Sequence, residues 1–233
     1  MRNLVVYDNL HQQPMNINNT TQVNPVPCDP GYPDSVKIGK GPYAGCVDFV
    51  FKSTPEEGGA LFSPKSDAPL PTTFQAMYFG FNRRVMFLMP DQLGRDEFDL
   101  KVTFAGGLQS NWSNEINWSE GGMWQADPND PPKWVDSGFN VANLIKWGGW
   151  NDFMFRGSTD GKVWNIDSLY CNGTTFTSLP ASYKGIPLKQ TNWSAGAHMQ
   201  IQAEVMNTPA FTVVRYQNAQ IVMSDNPIPI GWF

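Results

Sequence analysis

Charge is the first thing this 233-residue chain is short of. Asp, Glu, Lys and Arg make up 16% of it, against about 25% in an ordinary soluble domain. Amide and hydroxyl side chains must therefore carry much of its contact with water. The balance is acidic, with a net charge of −5 and a pI near 4.9. A nucleic-acid partner is not expected, since it needs a basic face against its phosphates. No Lys-rich segment seeks an anionic membrane. Long apolar runs are missing too: none approaches the roughly 18 residues of a membrane span. The short run after Met1 and Arg2 does not make a signal peptide. With only His11 and His198, a Ser-His-Asp triad has few ways to form. Gly-x-Ser-x-Gly, a phosphate-binding Gly loop and His-Glu-x-x-His are all absent.

Cysteine is scarce and odd in number: Cys28, Cys46 and Cys171. A fully paired monomer is excluded. Cys28 and Cys46 bracket a Pro/Gly-rich loop and could pair in an exported chain, or all three could be buried thiols. None has zinc-ligand spacing. No cofactor is expected. Asp127, Asn129 and Asp130 in Asp-Pro-Asn-Asp-Pro-Pro offer oxygen ligands suited to Ca²⁺, although a plain turn explains the same residues.

What the chain does have is short period-2 runs separated by Gly and Pro. Cys46–Lys52 alternates Val47, Phe49 and Phe51 with Asp48, Val50 and Lys52, as a half-buried strand does. His198–Val205 sets Met199, Ile201, Ala203 and Val205 against His198, Gln200, Gln202 and Glu204. Residues 3–8, 35–38, 74–81, 84–89, 98–104, 152–156, 162–167, 211–216 and 219–223 also read as strands. Asp160-Gly161 supplies a hairpin turn, and Gln217-Asn218 reads as another. Residues 9–34 read as an irregular arm and residues 53–73 as a long loop. About a dozen strands and no amphipathic helix predict an all-β protein, a two-sheet antiparallel jelly-roll β-sandwich. No composition shift divides it, so residues 1–233 are expected to form a single domain with an N-terminal arm at about 9–34.

Tryptophan is concentrated. Six of nine fall between Phe104 and Trp150, and no Lys or Arg lies between Lys101 and Lys133. The acids in that gap are Glu115, Glu120, Asp127 and Asp130. Indole faces beside isolated carboxylates suit sugar recognition, because the ring stacks on the apolar face of a pyranose. Trp112, Trp118 and Trp124 are the first candidates for that stacking. Core filling is the other role such residues have.

Within this stretch lies Glu115-Ile116-Asn117-Trp118-Ser119-Glu120-Gly121. In a strand, Glu115 and Asn117 share a face, and a one-residue bulge would bring Glu120 round to join them. Two carboxylates about 5 Å apart are what a retaining glycosidase uses. The segment resembles the active-site strand of the laminarinase-like glycoside hydrolases of family 16, which are jelly rolls. The resemblance covers about seven residues. It implies that Glu115 is the nucleophile and Glu120 the acid/base, with Asn117 standing where the family has Asp.

The polar face of 198–205 is a second constellation. His198, Gln200, Gln202 and Glu204 would line a groove if that face is concave. His and Gln on one strand also resemble the alginate-lyase type of polysaccharide lyase, where His acts as base and Gln steadies the substrate carboxylate. That resemblance asks for a Tyr and an Arg nearby, yet Arg215 and Tyr216 alternate to opposite faces.

The function expected is that of a polysaccharide-interacting jelly roll outside the cell or on its surface. It either binds a glycan or cleaves it with Glu115, Asn117 and Glu120. The alternative is a non-catalytic structural subunit of a virion, fibre or cell surface. Such a subunit would assemble through the arm at 9–34 or the apolar tail Ile228–Phe233.

Overall fold

The computed structural model describes residues 4–7, 22–26, 46–52, 65–69, 78–127, 133–206 and 210–229. Sixteen strands fall in them: β1 Leu4–Tyr7, β2 Gln22–Val26, β3 Cys46–Lys52, β4 Lys65–Pro69, β5 Tyr78–Phe87, β6 Leu93–Thr103, β7 Leu108–Asn117 and β8 Met123–Asp127. There follow β9 Val135–Asn140, β10 Asn151–Thr159, β11 Val163–Cys171, β12 Thr174–Phe176, β13 Ile186–Pro187, β14 Lys189–Gln190, β15 Gly196–Val205 and β16 Phe211–Ser224. No helix among the described residues is long and apolar enough to cross a membrane.

The strands form two antiparallel sheets, the jelly-roll β-sandwich that the short-strand pattern predicts. The nine-stranded sheet runs β12-β11-β10-β5-β16-β3-β2, with β1 beside β16 and β13 beside β11. The seven-stranded sheet runs β4-β15-β6-β7-β8-β9, with β14 beside β7. Aromatic side chains fill the space between. Phe98 of β6 lies 6.1 Å from Phe81 of β5, and Trp124 of β8 lies 5.8 Å from Phe153 of β10, centroid to centroid. Each large apolar side chain buried this way stabilises the fold by about 1.5–3 kcal/mol.

Several sequence expectations change. Gln22–Val26, within the supposed irregular arm, pairs with β3, and Lys65–Pro69, within the supposed loop, pairs with β15. The two apolar runs around Asn82 are one strand, because Asn82 and Arg83 pair with β10 like their neighbours. Gln217 makes a bulge in one continuous strand rather than a turn. The expected hairpin at Asp160-Gly161 is present: Asp160 Oδ1 accepts from the amides of Lys162 and Val163, and Gly161 has φ +86°. Cys46 and Cys171 are buried. Cys28, the strand expected at 35–38, the rest of the 9–34 arm and residues 230–233 lie outside the described residues. Ile228, the start of the apolar tail, packs on the outer face of its own nine-stranded sheet against Met154 and Val222. Its carbonyl accepts from Arg156 Nη1 at 2.8 Å.

Candidate functional site

The period of two decides what the seven-stranded sheet offers on each side. In β6, Asp96, Phe98, Leu100 and Val102 turn toward the other sheet, so Arg95, Glu97, Asp99 and Lys101 turn away from it. In β7, Trp112 and Ile116 turn inward, so Glu115 and Asn117 turn outward. In β15, His198, Gln200, Gln202 and Glu204 turn outward too. Register then aligns these residues in rows across the strands. One row reads Gln202, Glu97, Glu115, Gln125, Asp136. The row beside it, toward the strand ends, reads Glu204, Arg95, Asn117, Met123, Asn140. The polar face of 198–205 and the Glu115–Asn117 segment are therefore one surface.

Arg95 ties the two together. Its Nε stands 2.9 Å from Glu204 Oε2, and its Nη1 stands 3.7 Å from Glu115 Oε2. Glu120 is exposed and comes to this face by another route than a bulge. β7 ends at Asn117, and residues 118–121 make a hairpin turn in which the Glu120 amide donates to Asn117 Oδ1 at 3.1 Å. Gln125 then donates to Glu120 Oε2 at 3.2 Å and to Asp136 Oδ1 at 2.6 Å. At the far end of the face, Lys101 Nζ donates to Gln200 Oε1 at 2.9 Å, and His198 meets Trp193 edge to face at 5.0 Å.

Burial sets the electrostatics. Glu115 is 1% exposed and its carboxyl is pushed up to about 7, chiefly by burial and against the pull of Arg95, with repulsion from Glu204 and Glu120. Glu97 and Asp99 are also raised, by burial first; Asp99 and Glu115 add repulsion at Glu97. Among the described residues, Glu115 Oε1 and Asn117 Nδ2 are buried with no hydrogen-bond partner.

The tryptophans require a correction. Trp112 and Trp124 are fully buried in the core and offer no face to a ligand. They follow the same alternation that turns Glu115 outward, so they point the opposite way. Trp118 is half-buried, 4.8 Å from Trp147 and 5.5 Å from Phe87. Among the described residues, Trp147, at 45% exposure, is the indole with an open face. Arg215 and Tyr216 belong to the other sheet, where Arg215 pairs with Asp48 and Tyr216 accepts from Arg83, so neither joins His198. Asp127 Oδ1 accepts from the Lys133 amide at 2.8 Å; Asn129 and Asp130 lie outside the described residues. No group of three His, Cys, Asp or Glu among the described residues could hold a metal ion.

Arg95 and Glu97 fall outside the strand expected from the sequence, which begins at Phe98. The alternation of Arg95, Glu97, Asp99 and Lys101 with Asp96, Phe98, Leu100 and Val102 was the available signal.

Comparison with solved structures supports the sandwich. Lectin I from Ulex europaeus, solved with the methyl glycoside of α-L-fucose, superposes with a TM-score of 0.53. It is 9% identical, over 95% of this chain and 98% of the lectin. Arcelin-5, a lectin-like defence protein from Phaseolus vulgaris, gives 0.50 at 6% identity over 94% and 98%. A Bacillus licheniformis β-glucanase is also among the neighbours, at 0.44 and 13% identity over 93% and 97%. The chain shares the jelly-roll fold of the lectin and of arcelin-5. No family model matches the sequence, and no curated protein sequence matches it.

Proposed function

We propose that the outer face of the seven-stranded sheet binds a polysaccharide outside the cell, and that Glu115 acts on the bound chain as a retaining glycosidase nucleophile. The observation that carries this reading is the pair Glu115 Oε1 and Asn117 Nδ2, a buried acceptor and a buried donor on one face without partners among the described residues. Leaving such a group unsatisfied costs about 1–3 kcal/mol. A sugar hydroxyl both donates and accepts, which is the chemistry these two atoms lack. The row Gln202, Glu97, Glu115, Gln125, Asp136 crosses five strands. At about 4.8 Å between strands, it spans the length of several sugar rings. The family 16 resemblance assigns the second carboxylate to Glu120, which Gln125 holds beside this row.

The fold itself is one on which a lectin holds a fucoside, but the likeness is of fold, and the argument rests on the residues of this face. The docking of Ile228 on its own sheet removes one reason to expect a structural subunit assembled through that residue.

The test is a panel of β-glucans, galactans and uronic-acid polymers, scored for retention in affinity electrophoresis and for release of reducing ends. The wild type is expected to be retained by at least one polymer and to cleave it. Glu115→Gln should keep the retention and lose the cleavage. Absence of retention on every polymer would overturn the reading.

A further inference from the structure

Glu97 stands directly across the β6–β7 ladder from Glu115. Both side chains leave the sheet on its outer face. Opposed residues on antiparallel strands hold their Cβ atoms about 4.5–5.5 Å apart. Two like charges at that distance are destabilising, and the sequence keeps them there with little water to screen them: Glu115 is buried and Glu97 half-buried. One of the two must hold a proton.

The surroundings say which. Arg95 reaches Glu115 Oε2 and steadies its charge. Glu97 has Asp99 two residues along its own strand and Glu115 opposite, and both disfavour its ionisation. Lys101 and Arg95 on β6 oppose this less strongly than burial and the two acids promote it. Gln202 of β15 flanks Glu97 on its other side and carries no charge. An acid pair alone would define no site. Asn117, the next outward residue after Glu115, is 0% exposed and presents Nδ2 without a partner among the described residues. A neutral donor beside an ionised and a protonated carboxyl suits a sugar held across the pair.

We propose that Glu97 is the acid/base partner of Glu115, a role that the sequence resemblance gives to Glu120. The inference rests on the reading that this face binds and cleaves a polysaccharide. In the first step a Glu115 carboxylate oxygen bonds to the anomeric carbon as the glycosidic C–O bond breaks. The leaving oxygen keeps that electron pair and takes the proton from Glu97. In the second step water attacks the anomeric carbon, gives its proton to the Glu97 carboxylate, and the bond to Glu115 breaks. Both carboxyls return to their starting states. Retention uses two carboxyls about 5–5.5 Å apart, and opposed residues with Cβ atoms about 4.5–5.5 Å apart bring that separation within reach of the two side chains. Glu120, exposed in the hairpin and held by Gln125 and Asn117, takes no part in either step.

The test compares Glu97→Gln, Glu120→Gln and wild type on the polymer that the wild type cleaves, and on an aryl glycoside of the same sugar. The aryl leaving group needs no proton. Glu97→Gln should lose about 10³-fold on the polymer, within the range for removing a general acid, and keep the first step on the aryl glycoside, read as the burst of released aryl alcohol, within about tenfold. Glu120→Gln should keep polymer cleavage within about tenfold. An undiminished Tm for Glu97→Gln shows that the loss is not unfolding. If Glu120→Gln shows the split and Glu97→Gln does not, the assignment is overturned while the hydrolase reading stands. If the wild type binds polymers and cleaves none, the role of Glu97 falls and a binding function remains. If it binds none, both fall.

Discussion

Arg83 and Asp96 form an ion pair through the middle of the sandwich. Arg83 is on β5 in one sheet and Asp96 on β6 in the other, at 0% and 1% exposure. Arg83 Nη1 also donates to Tyr216 Oη at 2.9 Å, and its guanidinium lies 3.6 Å from the Phe98 ring centroid. The Phe81–Phe98 and Trp124–Phe153 contacts between the sheets are apolar and carry no hydrogen bond to set a register. This one fixes which residue of β5 faces which residue of β6, and thereby where the outward Arg95 and Glu97 fall.

Breaking that pair leaves a buried charge alone. Asp96→Asn or Arg83→Met is expected to cost about 3–5 kcal/mol in urea denaturation. The double variant Arg83→Met with Asp96→Leu should be closer to wild type than either single change. A single variant that unfolds at the wild-type midpoint would contradict the account.

Stability should fall as pH rises across the neutral range. The Glu115 carboxyl sits at about 7 in the folded chain against an ordinary 4.5. Between those values the folded state keeps a proton that the unfolded state has released, so raising the pH favours unfolding. The penalty is absent below about 4.5 and complete above about 7; Glu97 and Asp99 act in the same sense. Tm measured from pH 5 to 8 should decline, and Glu115→Gln should flatten the decline. A Tm rising over that interval would reverse the sign assigned to these carboxyls.

Arg95 divides itself between Glu204 and Glu115. Arg95→Ala should raise the Glu115 midpoint above about 7. Glu204→Gln should lower it, because it removes a repulsion and frees the guanidinium. Carboxyl ¹³C titration reads both shifts. The Arg95–Glu204 pair is about one-third exposed on each side, so its loss should change stability by less than about 1 kcal/mol.

The two kinds of tryptophan should separate by mutation. Trp124→Ala empties a core site and is expected to cost about 3–5 kcal/mol. Trp147→Ala, at a 45% exposed ring, should cost much less while removing the emission most accessible to iodide quenching. Equal costs for the two would contradict their placement.

Strands whose two faces differ sharply were legible in the sequence. β15 shows this best, with four apolar and four polar residues alternating. β3 and the Asp160-Gly161 hairpin were legible for similar local reasons. Misreadings came where one signal overrode the alternation. Tryptophan's suitability for sugar drew Trp112 and Trp124 toward the ligand, although their even numbers set them opposite Glu115. Asn82-Arg83 reads as a break between two apolar runs, because the partner that makes Arg83 a core residue lies on another strand. The pairing of Glu97 with Glu115 depends on the β6–β7 register, which no local pattern in either strand contains. Asp48 with Arg215 is hidden for the same reason, 167 residues apart.

The place of β16 has a consequence for the order of assembly. It is the last strand described in the chain and an interior one in its sheet. β5 lies along one side of it, β3 and then β1 along the other, with Leu4 opposite Ser224. While the chain is emerging from the ribosome, β2–β3 and β5–β10–β11–β12 are two fragments with open edges facing an absent neighbour. Among the described residues, no strand pairs with both fragments until residues 211–224 arrive. Pairings this distant in sequence form slowly, and unpaired edges invite the wrong partner meanwhile. Completion of the nine-stranded sheet therefore waits on β16, and its vulnerable period is the interval before that strand closes the gap.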